Sequence, residues 1–309
     1  DEPMVLSVGD LLVLRAIAEP AQATNPTLLC TGGNAIAIGN SPLAGIFFVH
    51  AMKEGQAKVR IAAADGAGAF AQFPIEVRRP TPPPAREDGF QAYFGDLRAA
   101  AAPGPAFAAA RETAGMDFLA IASAETPPEA WLGLVEATTQ ASRNGFLGFA
   151  GSAAGWNAIG KDSFGREVSA GGGVVLLNLT LPAPVRTATT LEQLMLGLRN
   201  ERNPLAMFTE ESSPGRLVDA ASRFQGKPSE KLLQALALFE ICNPSLAHQT
   251  LLEDSYTLAL DNGWRVAPTA TGGLETATAP RTAILAAALE RGALLEAILQ
   301  RRVYATERP

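Results

Sequence analysis

The stretch RTAILAAALERGALLEAILQRRVYATE, residues 281–307, reads as strand, helix, strand: a β-prone apolar run at 281–286, a helical run at 292–301 and an extended close at 303–306. Worked outward from there, the same rhythm reaches back to residue 91. Residues 92–97 read as a strand, 105–114 as a helix and 117–122 as an apolar strand. A further helix is opened by Thr126-Pro127-Pro128-Glu129, where proline suits the first turn. Runs 146–150 and 173–179 read as strands, 191–200 as a helix and 204–209 as a strand. A helix begins at Ser229, an N-cap candidate, and runs into 238–242; 246–261 is helical and stops before Gly263, and 266–270 is extended. Gly171-Gly172-Gly173 precedes a strand, whereas a phosphate loop follows one and opens a helix, so these glycines read as a turn. Such alternation implies parallel strands covered by helices. Roughly seven strand signals over about 220 residues favour a closed barrel over an open sheet.

The rhythm is different before residue 79. Short runs at 4–18, 27–31, 45–50, 57–63 and 70–77, rich in β-branched and aromatic residues, are punctuated by Gly, Pro and Asn. Lys58-Val59-Arg60-Ile61 and Pro74-Ile75-Glu76-Val77 alternate polar and apolar, the period of a strand with one wet face. This predicts a small immunoglobulin-like β-sandwich over 1–79. Between the two parts, RPTPPPARED at 79–88 places four prolines in five positions, which removes backbone donors and favours a stiff, extended connector. The expected organisation is a sandwich at 1–79, a linker at 80–89 and a barrel at 90–309.

Bulk chemistry excludes several functions. With 47% hydrophobic and 18% charged residues, 309 residues can bury a large core. A net charge of −6 with no Lys/Arg block offers no footprint for nucleic acid, whose phosphates reward clustered basic side chains. No run of 18 apolar residues is present for a membrane helix. Cys30 and Cys242 are too few for a disulfide framework or a thiolate metal site and read as buried apolar side chains. No GxSxG elbow accompanies Ser123 or Ser152, so nucleophilic catalysis is not expected. The two histidines, His50 and His248, read as packed or surface residues. The chain begins at Asp1 without a methionine, which fits a cleaved signal or anchor, a processed protein or a trimmed chain; the compartment stays open, with a lean towards the periplasm or the cell exterior.

The motifs GDL at 95–97, AGMDFLAIAS at 114–123, GFAGSA at 148–153, LDNGWRVAPTATGG at 260–273 and the closing run 281–307 together resemble the PHP (polymerase and histidinol phosphatase) family, in its branch of exported carbaryl-hydrolase-like metallohydrolases. The resemblance covers about two-thirds of the chain. It implies a distorted (β/α)7 barrel with up to three metal ions at the C-terminal ends of its strands, and a β-sandwich ahead of the barrel agrees with the reading of 1–79. The family's ligand motifs fall on residues that cannot ligate. The histidine pair after GDL falls on Arg98 and Ala100, one permanently protonated and the other without a donor atom. An aspartate and a histidine fall on Ser123 and Ala124. The remaining ligands fall near Ser152 or Ala153, on Gly172, on Thr209, and within 271–274 at Gly272 and Leu274.

The acids near this barrel mouth are Asp96, Glu125, Glu210, Glu211, Glu240 and Glu275. Asp96 reads as structural, and Arg98 is expected to act as a structural cation paired with Glu125 or Glu240. Trp156, with Asn157 and Phe164 in the loop 154–165, is the expected contact patch. The function that follows is that of a non-catalytic pseudoenzyme: a structural or accessory subunit binding a protein partner in a larger assembly, with no cofactor. Two alternatives are a phosphoesterase or ester hydrolase using a divalent metal on carboxylates, and a small-ligand binding module using the vacated mouth.

Overall fold

The computed structural model describes residues 3–16, 28–41, 43–63, 70–79, 89–124, 127–142, 145–161, 167–179, 204–209, 230–243, 249–274 and 276–307. Two small sheets come first. One contains β1 (Met4–Ser7), β3 (Leu28–Thr31), β6 (Gly55–Ala63) and β7 (Phe70–Arg78), in the order β1-β7-β6-β3. The other contains β2 (Leu11–Arg15), β4 (Ile36–Asn40) and β5 (Ile46–Ala51), in the order β2-β5-β4. The alternation seen at 58–61 is realised in β6, where Val59 and Ile61 are buried while Lys58 and Arg60 are exposed. Phe47 and Val49 from β5 share one apolar cluster with Val59, Ile61, Ile75 and Val77 of the four-stranded sheet. The proline-rich connector at 80–88 lies outside the described residues.

The third sheet has nine strands: β8 (Gln91–Ala99), β9 (Phe118–Ala124), β10 (Leu147–Lys161), β11 (Glu167–Leu177), β12 (Leu205–Thr209), β13 (Leu236–Cys242), β14 (Ala267–Ala270), β15 (Arg281–Ala286) and β16 (Val303–Thr306). Their order is β14-β13-β12-β11-β10-β9-β8-β15-β16. This overturns the expected (β/α)7 barrel. The described chain is mostly β, and its large sheet is mixed: β8, β9 and β10 run parallel, as do β12, β13 and β14, while β11 and β15 run against both neighbours.

The physical reason lies in the connections. Parallel neighbours need a crossover of a dozen or more residues. Helices α1 (Pro103–Glu112) and α2 (Pro128–Ala141) supply it between β8 and β9 and between β9 and β10. Only five residues separate Lys161 from Glu167, so β10 and β11 form a hairpin in which Gly151 pairs with Leu177 and Lys161 with Glu167. The glycines 171–173, expected as a turn, lie inside β11 opposite Trp156 and its neighbours. The segment 236–242, expected as the end of a helix, is strand β13; the helix before it, α3 (Glu230–Ala235), is short.

The sheet curls until its ends nearly meet. The amide of Ala270 in β14 donates to Thr282 Oγ1 in β15 at 3.0 Å, and that hydroxyl donates back to the Ala270 carbonyl at 2.9 Å. One face of the sheet packs beneath α1, α2 and α4 (Gln249–Asp261), with Trp131, Phe107, Ile121, Phe208 and Trp264 in one cluster. Phe48 of β5 joins that cluster, and Leu11 and Val13 of β2 pack on it, so the first part of the chain lies on this face. The other face packs on α5 (Arg291–Leu299) through Leu294, Leu295 and Ile298.

The first sheets also meet α5. The turn from β1 to β2 is closed by Asp10, whose amide donates to the Ser7 carbonyl and whose Oδ2 accepts from the Ser7 amide. Its Gly9 has φ +94° and lies against Gly292; a Cβ on Gly292 would stand 2.2 Å from the Val8 carbonyl oxygen. Beside this contact the half-buried Arg291 places its guanidinium 4.6 Å from the centre of the Phe149 ring and donates to the Gly148 carbonyl at 2.6 Å.

Candidate functional site: a buried charge cluster at the sheet end

The C-terminal ends of β8, β9, β10, β12, β13 and β14 share one end of the large sheet, and β15, running the other way, begins there. Two of these strands are irregular at that point. The register of β8 against β9 shifts between Asp96 and Ala99, and that of β13 against β14 shifts between Glu240 and Cys242. An extra residue in a strand bends it and re-aims its side chains. Both irregularities fall on the segments that carry charge.

Asp96 and Glu240 are both fully buried. Arg98 bridges them: its amide donates to Asp96 Oδ1 at 2.8 Å, and its Nη1 donates to Glu240 Oε2 at 2.6 Å. The side chain of Arg98 is 24% exposed, that of Glu240 not at all. Glu240 Oε1 also accepts a long bond from Asn243 Nδ2 at 3.4 Å. Burial pushes the Glu240 carboxyl above the ordinary range; Arg98 and Thr271 pull it down, and the Asp96 charge pushes it up. Burial raises Asp96 as well, against the amides of Arg98, Gly273 and Gly272 and the charge of Arg281. Asp96 Oδ2 is buried with no hydrogen-bond partner.

Arg281 completes the cluster from β15. It is 1% exposed and donates to three carbonyls of the β14–β15 turn: Gly273 at 3.1 Å, Pro280 at 3.0 Å and Thr276 at 2.6 Å. Burial lowers its pKa and the Asp96 charge opposes this. Glycine is required beneath it, because a Cβ on Gly272 would stand 2.1 Å from the Pro280 carbonyl oxygen and 2.7 Å from Arg281 Nη1. Gly95 is equally constrained, with the Phe118 carbonyl oxygen 2.1 Å from where its Cβ would be.

Of the residues singled out in the sequence, Arg98 and Glu240 are brought together, with Asp96 beside them. Ala100 lies just past β8 and is exposed; Ser123 and Ala153 are half-buried in β9 and β10, and Ser152 is buried opposite Ser123. Thr209 ends β12 opposite Gly173, and Leu274 packs on the helix-covered core. Ala124 ends β9, and Gly172 pairs in β11 with Trp156 in β10. Trp156 and Asn157 were expected in a loop and are strand residues, because the hairpin continues past Ala153. Phe164, Glu125, Glu210, Glu211, Glu275 and His248 lie outside the described residues. His50, at the end of β5, is buried beside Gly9, Thr138 and Arg291 around a cavity of about 20 Å³. Arg281 went unrecognised in the sequence, although an arginine opening the apolar strand RTAILA was a signal of a buried charge needing partners.

The metal ions implied by the family resemblance do not fit these residues. Catalytic zinc takes several neutral or anionic donors and keeps one coordination position open. Here a guanidinium is bonded to one of two buried carboxylates, and a second guanidinium acts on the other. Among the described residues no three His, Cys, Asp or Glu side chains converge.

No family model and no curated protein matches the chain. Solved structures do. One is a two-domain protein of Bacteroides vulgatus containing a predicted PHP-like metal-dependent phosphoesterase, 12% identical over 75% of this chain and 69% of its own, with a TM-score of 0.44. Two others are a family 39 glycoside hydrolase of Bacteroides cellulosilyticus (12% identity, 87% of this chain and 49% of that one, TM-score 0.18) and a glycoside hydrolase, described as putative, of Bacteroides vulgatus (9% identity, 87% and 56%, TM-score 0.22). No helix among the described residues is long and apolar enough to cross a membrane.

Proposed function

We propose that this chain is a non-catalytic subunit that binds a protein partner in a larger assembly. The observation that carries this reading is the Arg98–Glu240 ion pair. It seals a buried carboxylate with a cation of the chain's own at the end of the sheet where parallel strands converge. A hydrolase needs there an open electrophilic position, or an acid and a base free to exchange protons with substrate. Glu240 and Asp96 are fully buried, and their charge is answered from within the fold by Arg98 and Arg281. What supports the reading is an internally neutralised sheet end, which a scaffold uses for shape. The test is gentle purification from the native source, with identification of co-purifying proteins, elemental analysis, and assay of phosphate and carboxylic ester hydrolysis. A stoichiometric protein partner without turnover is the expected result. Ester turnover abolished by a chelator would overturn the reading.

A further inference from the structure

We propose that the joint between the small sheets and α5 holds one chloride-sized anion, bound by the Arg291 guanidinium in the cavity that it shares with His50, Thr138 and Asn178. The site is apart from the charge cluster at the sheet end and does not depend on the reading given for that cluster. Space is the first observation. The cavity measures about 20 Å³, and a single water-sized or slightly larger occupant needs roughly 10–15 Å³. Phosphate, sulfate and organic carboxylates are too large for it. Its wall joins both parts of the chain, with Leu11 and His50 from β2 and β5, Thr138 from α2, Ala150 from β10, Asn178 just past β11 and Arg291 at the start of α5.

Charge is the second. Arg291 is the permanent charge on that wall. Among the described residues no ion pair includes it, and its guanidinium makes one hydrogen bond, from Nη2 to the Gly148 carbonyl at 2.6 Å. Its Nε and Nη1 are left as donors, while the group stands 4.6 Å from the centre of the Phe149 ring. Asp10 is the acid whose charge reaches Arg291; burial raises both Asp10 and Glu290, the acid that faces Asp10, so the fold answers the guanidinium incompletely. The hydroxyls of Thr138 and Thr139 both donate to the Val135 carbonyl, at 2.8 and 2.9 Å, which leaves the guanidinium as the strong donor of the wall. A water molecule would satisfy its N–H groups without answering its charge. A monoanion does both, and it ties the small sheets to α2, β10 and α5.

The experiment has two arms, both on the full chain as wild type, Arg291→Met and Ala150→Val. Arg291→Met removes the cation with little loss of volume, and Ala150→Val fills the cavity while keeping the cation. In the first arm crystals are soaked in sodium bromide and anomalous diffraction locates the halide. A bromide peak beside the Arg291 guanidinium is expected in wild type and in neither variant. In the second arm Tm is followed in sodium chloride and in sodium gluconate at equal ionic strength; gluconate is too large for the cavity, and comparison with the variants removes the general effect of each salt. The gain of chloride over gluconate is expected to be about 2–4 °C larger in wild type than in either variant. Water alone in the cavity of bromide-soaked wild type overturns the inference, as does a chloride response in either variant equal to that of wild type. Should Arg291→Met not fold, Ala150→Val carries the same comparison. Neither arm reads partner binding or ester turnover, so this site and the proposed function can fail separately.

Discussion

Among the described residues, the sheet end and the joint beside α5 both draw arginine side chains inward, and they satisfy them differently. At the sheet end Arg98 and Arg281 sit with the buried carboxylates Asp96 and Glu240, charge answering charge in a low-dielectric interior. At the joint between the small sheets and α5, Arg291 rests on the Phe149 ring and the Gly148 carbonyl, with the Asp10 charge as its longer-range counterion. Asp10 is raised by its own burial, while the Ser7 amide and Arg291 pull it down. The sheet end is therefore an electrostatic closure whose parts depend on one another. The joint is a steric closure, set by two glycines in contact, in which the arginine is cushioned by a ring and a carbonyl.

Replacement of Arg281 is expected to have the largest effect. Arg281→Ala withdraws the donors from three turn carbonyls and leaves Asp96 without its nearby cation, at a cost of about 3–5 kcal/mol measured by urea unfolding. A cost below about 1 kcal/mol would mean that the sheet end is not a coupled cluster. Next comes an asymmetry within one ion pair. Loss of Arg98 strands a fully buried carboxylate, whereas loss of Glu240 leaves a guanidinium that already reaches solvent. Arg98→Ala is accordingly expected to destabilise more than Glu240→Gln, and equal losses would place the two partners in equivalent surroundings.

The same asymmetry has a pH signature. A carboxyl whose folded pKa is raised keeps its proton in the native state to a higher pH than in the unfolded chain, so stability is lost as pH rises through the folded value. Glu240 is already raised, and removing Arg98 deletes the main influence holding it down. The deficit of Arg98→Ala is thus expected to be greatest at neutral and higher pH and to shrink on acidification towards the ordinary carboxylate range, as read from Tm across that interval. A deficit constant with pH would break the electrostatic account.

At the joint, Gly292→Ala puts a methyl group against the Val8 carbonyl and is expected to cost about 1–3 kcal/mol with no dependence on pH, the contrast that separates steric from electrostatic closure. The smallest effect belongs to the exposed Arg15–Glu136 pair, which also links β2 to α2. Its removal by Arg15→Ala is expected to change stability by less than about 1 kcal/mol and less still at high salt.

Legibility followed the size of side chains. β6 was readable because Val59 and Ile61 alternate with charge, and β15 because 281–286 is an apolar run. The hairpin β10/β11 escaped because GSAAGWNAIG and SAGGG contain almost no large residues, and strand propensity is chiefly the packing of such residues on a pleated surface. Misreading that hairpin as loop and turn made an all-parallel barrel look natural. In the cluster, Arg98 and Glu240 were legible one by one as charges on apolar strands. Their contact was one of the two pairings open to Arg98, and its geometry depends on two register irregularities that leave no mark in either strand's own sequence.

From the sequence alone came local facts: most of the runs that are strands or helices, and the charged residues Arg98 and Glu240 on apolar strands. Each follows from the chemistry or periodicity of neighbouring residues. Strand direction, the near-closure through Thr282 and Ala270, and the meeting of Asp96, Arg98, Glu240 and Arg281 were decided only in three dimensions. These are agreements between residues up to some 185 positions apart, and burial gives them their energy.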